Sequence, residues 1–236
     1  MIEFVENMLH YERNLFFLLN GSDSVILDRL MFIVSVTNIW FPLYLFVILL
    51  LFYKTPKKVA AFTLFIFIML IVFCDQFSSG LIKPIFERLR PGNHPDFMEY
   101  TQLVFGRRGG GYAFISGHAT NSAGFAVLLS LVFKNRWLTL TVLTWAGLIS
   151  YSRVYLGMHY VSDVIGGIIA GTAIAFAVYY GFIYLRKKIF KLEAPEKTPI
   201  YSERHGRIMF IAFAAYFAFV LLFSYVLAPM SYSFGW

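Results

Sequence analysis

The sequence predicts an all-α protein that crosses a membrane six times, and two observations lead to this prediction. Hydrophobic residues make up 59% of the 236 residues and charged residues only 14%, a balance that is too apolar for a soluble domain. Six apolar segments are also long enough to span or nearly span a bilayer. They cover roughly residues 30–53, 59–82, 119–133, 137–152, 164–185 and 208–227. We therefore expect one membrane-embedded domain over residues 1–236.

Residues 1–22 precede the first apolar segment and carry apolar side chains at helical spacing. This pattern predicts an amphipathic helix at the membrane interface, and a helix that simply packs against the bundle is the alternative. The apolar positions are Phe4, Met8, Tyr11, Leu15 and Leu18.

Three of the six segments depart from a plain membrane helix. Pro42 lies within the first segment and favours a kink there. The third and fourth segments are shorter than the others, so we expect their ends to extend into polar surroundings lined by protein.

The formal net charge is +7, and the basic residues sit mainly in short connections between the apolar segments. In a soluble protein this balance would suggest nucleic acid. Here it favours anionic lipid headgroups, so no nucleic-acid partner is expected. Most Lys and Arg residues lie in the connections after the first, third and fifth segments. The positive-inside rule places those connections in the cytoplasm, and both termini then face outward with the opposite ends of the helices.

A set of charged and polar residues flanks the membrane segments, where charge is costly and usually marks a function. Two of them follow the second segment, one begins the third, and three lie between the fourth and the fifth. Because two crossings separate these groups, all of them emerge on the same, outward face. The residues are Lys83, Arg90, His118, Arg153, His159 and Asp163.

The two histidines fit the two halves of a phosphate-transfer reaction. His159 and Asp163 are four residues apart, and a carboxylate bonded to one imidazole nitrogen leaves the other nitrogen free to attack phosphorus. A structural His–Asp cap at a helix start is the alternative. His118 follows Ser116-Gly117 at a helix start, a place that favours phosphate, and it suits a general acid. An interfacial histidine bonded to a carbonyl is the alternative there.

Three cations accompany the histidines. Lys83, Arg90 and Arg153 would hold the non-bridging oxygens of a phosphoryl group and neutralise its charge in place of a metal. Taken singly, each also fits a snorkelling anchor. The single cysteine, Cys74, lies within an apolar segment, so neither a disulfide framework nor a cysteine metal site is expected.

Four further charged residues have a less definite interpretation. We interpret Arg88, Arg107 and Arg108 mainly as anchors at the membrane surface. Asp75, the only acid within the second segment, either pairs with a basic residue of the site or ends the segment.

At these residues the sequence resembles the type-2 phosphatidic acid phosphatase superfamily, which also includes vanadium haloperoxidases and glucose-6-phosphatase-like enzymes. Three motifs in order over residues 83–163, each with the right internal spacing, form a specific signal. The family patterns K-x6-R-P, P-S-G-H and S-R-x5-H-x3-D appear here as Lys83…Arg90-Pro91, Ile115-Ser116-Gly117-His118 and Ser152-Arg153…His159…Asp163. Ile115 stands where the family usually has proline, which puts the local turn geometry in doubt.

The resemblance implies a metal-independent lipid phosphatase that needs no cofactor and no obligate protein partner. His159 would be the nucleophile that forms a phosphohistidine, Asp163 would orient it, and His118 would be the general acid that later activates water. The protein would lie in a bacterial inner (cytoplasmic) membrane with its site facing outward. The implied phosphate-binding residues are Lys83, Arg90, Ser116, Gly117 and Arg153.

Several substrates and two other functions stay open. A lipid phosphate is favoured because the reacting groups lie where a headgroup would sit, and family substrates include undecaprenyl diphosphate, phosphatidylglycerol phosphate, phosphatidic acid and lipid A. The Arg107/Arg108 pair favours a diphosphate lipid or lipid A. A phosphotransferase would use the same phosphohistidine. A transporter would place charges midway through several spans, whereas these cluster at one end.

Overall fold

The computed structural model describes residues 2–190 and 200–233, and this part of the chain is helical, as the sequence predicts. Residues 191–199, which belong to the predicted basic connection after the fifth segment, lie outside the described residues. The α-helices are α1 (Ile2–Leu19), α2 (Val25–Ser35), α3 (Phe41–Phe52), α4 (Lys57–Asp75), α5 (Lys83–Phe86), α6 (Gly117–Phe133), α7 (Arg136–Tyr155), α8 (Val161–Phe190), α9 (Glu203–Leu222) and α10 (Ser224–Ser233).

Helix α6 lies at the centre and packs against α4, α7 and most closely α8. Glycines make that closest approach possible. A Cβ on Gly167 or Gly171 of α8 would collide with the backbone of α6 at Ser116 and Thr120. The start of α8 is consequently held directly against the start of α6, and the backbone N–H of Ser116 donates to the carbonyl of Asp163 at 3.0 Å.

Three helical stretches are long and apolar enough to cross a membrane: Lys57–Asn93, Val161–Ile189 and Glu203–Leu222. The first of these is α4 continued through a π-helical turn, Gln76–Ile82, into α5. Helix α6 is a shorter apolar helix, and the last predicted segment is divided between α9 and α10. The count of six spans therefore remains a prediction.

The first predicted segment is not one continuous helix. Helices α2 and α3 are separated by the 3₁₀ turn Thr37–Trp40 and are bent by 68°. The bend precedes Pro42, which lies in the first turn of α3, where proline is well tolerated. Val36 is extended, and the indole nitrogen of Trp40 donates to the carbonyl of Val34 at 3.0 Å, which ties the break to the end of α2.

The N-terminal helix is present, and its two faces differ. Val5, Leu9 and Phe16 are buried, on the side that packs toward α5, α7 and α8. The apolar stripe from which the helix was predicted faces outward instead. Its exposed members are Phe4, Tyr11, Leu15 and Leu18. Helix α1 thus packs against the bundle with one face and offers a second apolar face to its surroundings, while its position relative to a membrane stays a prediction.

Candidate active site

The nucleophile candidate, His159, lies in the short connection between α7 and α8, and the side chain is almost fully buried. Its Nδ1 is 3.4 Å from Oδ2 of the buried Asp163. The same carboxylate oxygen accepts a 2.9 Å hydrogen bond from the backbone N–H of Tyr160. Asp163 therefore caps the start of α8 and also faces the imidazole of His159.

The other imidazole nitrogen faces a cation. Arg90 Nη1 lies 3.5 Å from Nε2 of His159 and donates to the carbonyl of Met158 at 3.1 Å, while Arg90 Nε donates to the carbonyl of Gly111 at 3.2 Å. These two carbonyls fix the guanidinium beside the ring. A guanidinium is only a donor, so in this contact it donates to the lone pair of Nε2, and at 3.5 Å this hydrogen bond is weak.

The charge environment keeps His159 neutral. Burial lowers the pKa of His159 well below its ordinary value, and the positive charges of Arg90, Arg153 and Lys83 lower that pKa further. A hydrogen bond with the backbone of Ala113 acts in the opposite direction. A neutral imidazole is the form that attacks an electrophile.

Ser116, Gly117 and His118 form the start of α6, as the sequence predicts. Ser116 is the N-cap, its hydroxyl accepts from the backbone N–H of Ala119 at 3.5 Å, and the side chain is buried. His118 is half-buried and points into a cavity of about 370 Å³. The N-terminal amides of α6 and the second histidine therefore meet at one place.

That cavity is strongly basic. Its described lining residues include Arg107, Arg108 and Arg153 beside His118, and none of them is acidic. Four consecutive residues of the α2–α3 break, 35–38, form another part of the wall. Arg153 hydrogen-bonds the hydroxyl of Ser35, the last residue of α2. The break in the first predicted span thus forms part of the cavity wall, and Arg107 and Arg108 line the same cavity.

Lys83 lies at the beginning of α5 and is half-buried. Like the charges of Arg90 and Arg153, its positive charge lowers the pKa of both His118 and His159. The three predicted cations therefore surround the two histidines, with Arg90 nearest to His159.

Arg88 is a residue of the site that sequence reasoning missed, and its interpretation as a surface anchor is wrong. The side chain is fully buried, and Nη1 is 2.6 Å from Oδ1 of Asp163. Its Nη2 is 2.6 Å from Oε1 of Glu12 in α1. Charge balance is the signal that could have pointed to such a residue, because a buried carboxylate beside a neutral imidazole needs a cation.

Asp75 is the last residue of α4, but the helix continues beyond it through the π-helical turn, so Asp75 does not end the predicted segment. It is exposed, and Oδ1 accepts from the hydroxyl of Ser79 at 3.4 Å. Within residues 2–190 and 200–233, Asp75 forms no ion pair with a basic residue of the site. The same part of the chain contains no group of three or more His, Cys, Asp or Glu side chains arranged to hold a metal ion.

Comparisons with known proteins agree with this geometry. Residues 60–187 match the family model of the PAP2 superfamily. A lipid A 4'-phosphatase of Porphyromonas gingivalis is 40% identical over 184 residues, which are 78% of each chain. An undecaprenyl-diphosphatase of Sulfolobus acidocaldarius is 31% identical over 174 residues, 72% of this chain and 78% of that protein.

The fold also has a solved counterpart. The crystal structure of a PAP2-type phosphatidylglycerolphosphate phosphatase from Bacillus subtilis matches with a TM-score of 0.56 and 21% sequence identity. The match covers 80% of this chain and 89% of the other. The helical arrangement is therefore shared with a transmembrane protein of known structure.

Proposed function

This chain belongs to the PAP2 superfamily and is a membrane lipid phosphatase, and we propose that it removes a terminal phosphate through a phosphohistidine formed on His159. One observation carries the proposal. The imidazole of His159 faces the Asp163 carboxylate with Nδ1, while Nε2 carries the lone pair and has a weak 3.5 Å contact with the guanidinium of Arg90, which a phosphoryl group would replace. This leaves a neutral, oriented nucleophile beside an anion-binding group.

The proposed first step transfers the phosphoryl group to the protein. Nε2 of His159 forms a bond to phosphorus while the bond from phosphorus to the lipid oxygen breaks, and His118 donates a proton to the departing oxygen. Asp163 stabilises the imidazolium that develops. In the second step His118 takes a proton from water, the water oxygen attacks phosphorus, and inorganic phosphate and free His159 result.

Cations and amides supply the stabilisation that a metal provides in other phosphatases. Lys83, Arg90 and Arg153 would hold the non-bridging oxygens, and the backbone amides after Ser116 and Gly117 would add helix-start donors. Three cations around the phosphoryl group would repel a divalent ion and attract a phosphate dianion. We therefore propose metal-independent hydrolysis.

The cavity favours a headgroup with a second anionic group. Because His118 protonates the leaving oxygen in this mechanism, the leaving group lies beside His118. The cavity into which His118 points is lined by Arg107 and Arg108, with no acid among the described lining residues. Two of the relatives, from Porphyromonas gingivalis and Bacteroides thetaiotaomicron, are lipid A 4'-phosphatases, the second 36% identical over 172 residues. We propose lipid A or a diphosphate lipid as the substrate.

The hydrocarbon part of such a substrate has a matching surface. An apolar cavity of about 430 Å³ lies between α3, α4 and α6 and is lined by residues such as Tyr44, Phe67 and Phe125. A small cavity of about 100 Å³ lies next to both regions, because it shares His118 with the basic cavity and Asn121 with the apolar one. A lipid with its phosphate at His159 could extend along this route into the bilayer.

The proposed location is a bacterial inner membrane with the active site on the periplasmic or external face. Support comes from the distribution of charge, with the basic connections at the end of the helices opposite the site.

The test is phosphate release by the purified protein from lipid A, undecaprenyl diphosphate, phosphatidic acid and phosphatidylglycerol phosphate, each in excess EDTA. We expect release from lipid A or undecaprenyl diphosphate to have the highest kcat/KM and to be inhibited by orthovanadate, which resembles five-coordinate phosphorus.

Arg108→Ala should raise KM for these substrates more than for phosphatidic acid. Activity that vanishes in EDTA and returns with zinc or magnesium would contradict the mechanism. Phosphate transfer to an added alcohol without release of inorganic phosphate would identify a phosphotransferase.

A further inference from the structure

Helix α1 contributes one buried acid, Glu12, close to the Asp163 carboxylate. Glu12 is only 8% exposed, although it lies on an N-terminal helix with an exposed apolar face. Its Oε1 is 2.6 Å from Arg88 Nη2 and accepts from the hydroxyl of Ser162 at 2.6 Å. Its Oε2 accepts from the backbone N–H of Ser162 at 2.7 Å. Both carboxylate oxygens are therefore used at the start of α8, next to Asp163.

Arg88 connects Glu12 to Asp163. Its Nη2 contacts Glu12, and its Nη1 contacts Asp163 and donates to the hydroxyl of Ser162 at 2.7 Å. The guanidinium carbon lies 4.2 Å from the centre of the Tyr160 ring. Its Nε is buried and has no hydrogen-bond partner among the described residues. The orientation of this planar group is consequently set by its two terminal nitrogens and the aromatic face.

We propose that Glu12 is a positioning residue for the phosphatase reaction, acting through Arg88 to hold the Asp163 carboxylate against the imidazole of His159. This makes α1 a part of the catalytic machinery. The inference rests on the proposed function, in which His159 is the nucleophile.

The geometry explains why the contact matters for the reaction. The terminal torsion of an aspartate is broad and weakly defined by the chain itself. Oδ1 of Asp163 is fixed by Arg88, and this leaves Oδ2 for the N–H of Tyr160 and for His159. Without Glu12, the Nη2 side of Arg88 loses its acceptor, the guanidinium rotates more freely, and the carboxylate is no longer held in one plane.

The same helix offers a matched control. Glu6, also in α1, pairs with His94 through a 3.0 Å contact between Oε2 and Nε2. This ion pair ties α1 to the connection after α5, and within the described residues Glu6 makes no hydrogen bond or ion pair with Arg88 or Asp163. If Glu12 only docks the helix, Glu6→Gln and Glu12→Gln should have similar consequences.

The experiment compares Glu12→Gln, Glu6→Gln, Asp163→Asn and the double variant Glu12→Gln/Asp163→Asn in phosphate release and in thermal unfolding. Misplacing a reacting group by about 1 Å can cost about 10²-fold in rate, so we expect Glu12→Gln to lower kcat by about 5- to 100-fold. We expect KM to change by less than about threefold, because the phosphate-binding residues are untouched. Glu6→Gln should retain wild-type kcat.

The double variant decides how Glu12 acts. If it acts through Asp163, adding Glu12→Gln to Asp163→Asn should cost less than about twofold in kcat, because the orienting carboxylate is already gone. A multiplicative loss, an unchanged kcat in Glu12→Gln, or an equal loss in Glu6→Gln would each overturn the inference. Full activity of His159→Ala would instead contradict the proposed function, so the two failures are distinguishable.

Discussion

The two ends of the helical bundle each hold a buried histidine, and the two differ in their neighbours. At the basic end, His205 of α9 places Nε2 2.8 Å from the carbonyl of Tyr53 and Nδ1 2.7 Å from the hydroxyl of Ser202. At the opposite end, His159 has a carboxylate at 3.4 Å and a guanidinium at 3.5 Å.

The comparison indicates what distinguishes a structural histidine from the proposed nucleophile. A carbonyl and a hydroxyl satisfy both nitrogens of His205, so this ring links the start of α9 to the end of α3 and has no nitrogen left to react. His159 is also buried, but its Nε2 has a weak 3.5 Å contact with Arg90, a cation that also attracts a phosphoryl group. Both rings are buried, whereas the chemistry of their partner groups differs.

The largest expected effect comes from replacing each of the two histidines by alanine. His159→Ala should lower kcat by at least about 10³-fold with little change in the thermal midpoint, because the nucleophile is lost. His205→Ala should keep kcat within about threefold but lower stability by about 1–3 kcal/mol, because two buried hydrogen bonds are lost. Phosphate release and thermal unfolding measured on both variants test this. Activity of His159→Ala within about threefold of wild type would remove the covalent mechanism.

The next effect concerns the carboxylate that distinguishes the two rings. Asp163→Asn should lower kcat on the order of 10²-fold or more, because the developing imidazolium loses its counter-charge and the tautomer is no longer fixed. The variant also leaves Arg88 with a single ionic partner, so thermal unfolding must show that the protein is folded before rates are compared. An unchanged kcat would reassign Asp163 to the cap of α8 alone.

A smaller effect is expected in the pH dependence. His159 attacks as the neutral imidazole, and activity is lost as the pH falls through its pKa. Because burial and the surrounding cations lower that pKa, the acid limb of kcat/KM should lie well below pH 6.5. His118 must be protonated to assist departure of the lipid oxygen, and Arg153 and burial lower the pKa of His118 well below its ordinary value, so the alkaline limb should also lie on the acid side. His118→Ala should remove or shift that limb. A profile that keeps its shape in His118→Ala would show that His118 is not the acid.

The last prediction leaves activity unchanged and tests whether the two ends lie on opposite sides of the membrane. Asn93, near the site, and Arg136, at the basic end, are both exposed. Asn93→Cys should react with an impermeant thiol reagent in intact spheroplasts, and Arg136→Cys should not. Asn135 is less suitable because its side chain caps α7. Wild-type protein is the control, since Cys74 is buried. The reverse labelling pattern would place the site in the cytoplasm.

Much of the candidate site was predictable from the sequence because topology and local spacing constrain it. His159 and Asp163 sit four residues apart at a helix start, and Ser116-Gly117-His118 opens a helix, as their order in the chain predicts. Arg88 was misassigned because no local pattern separates a buried residue of the site from a surface anchor. The position of Arg107 and Arg108 beside the cavity is likewise visible only in the structure. All three positions depend on which distant groups lie nearby.

The sequence by itself determined the helical class, the apolar character of the long helices and the set of motif residues that meet at one end, because hydrophobicity and motif spacing are properties of the linear chain. Only the tertiary structure decided that the first apolar segment breaks at residues 36–40, that this break lines the basic cavity, and that Glu12 holds Arg88 against Asp163. These features arise from packing between residues far apart in the chain. The buried ion pair between Glu12 of α1 and Arg88 depends on the space and charge that remain after the helices pack. No local segment of the sequence encodes this pair.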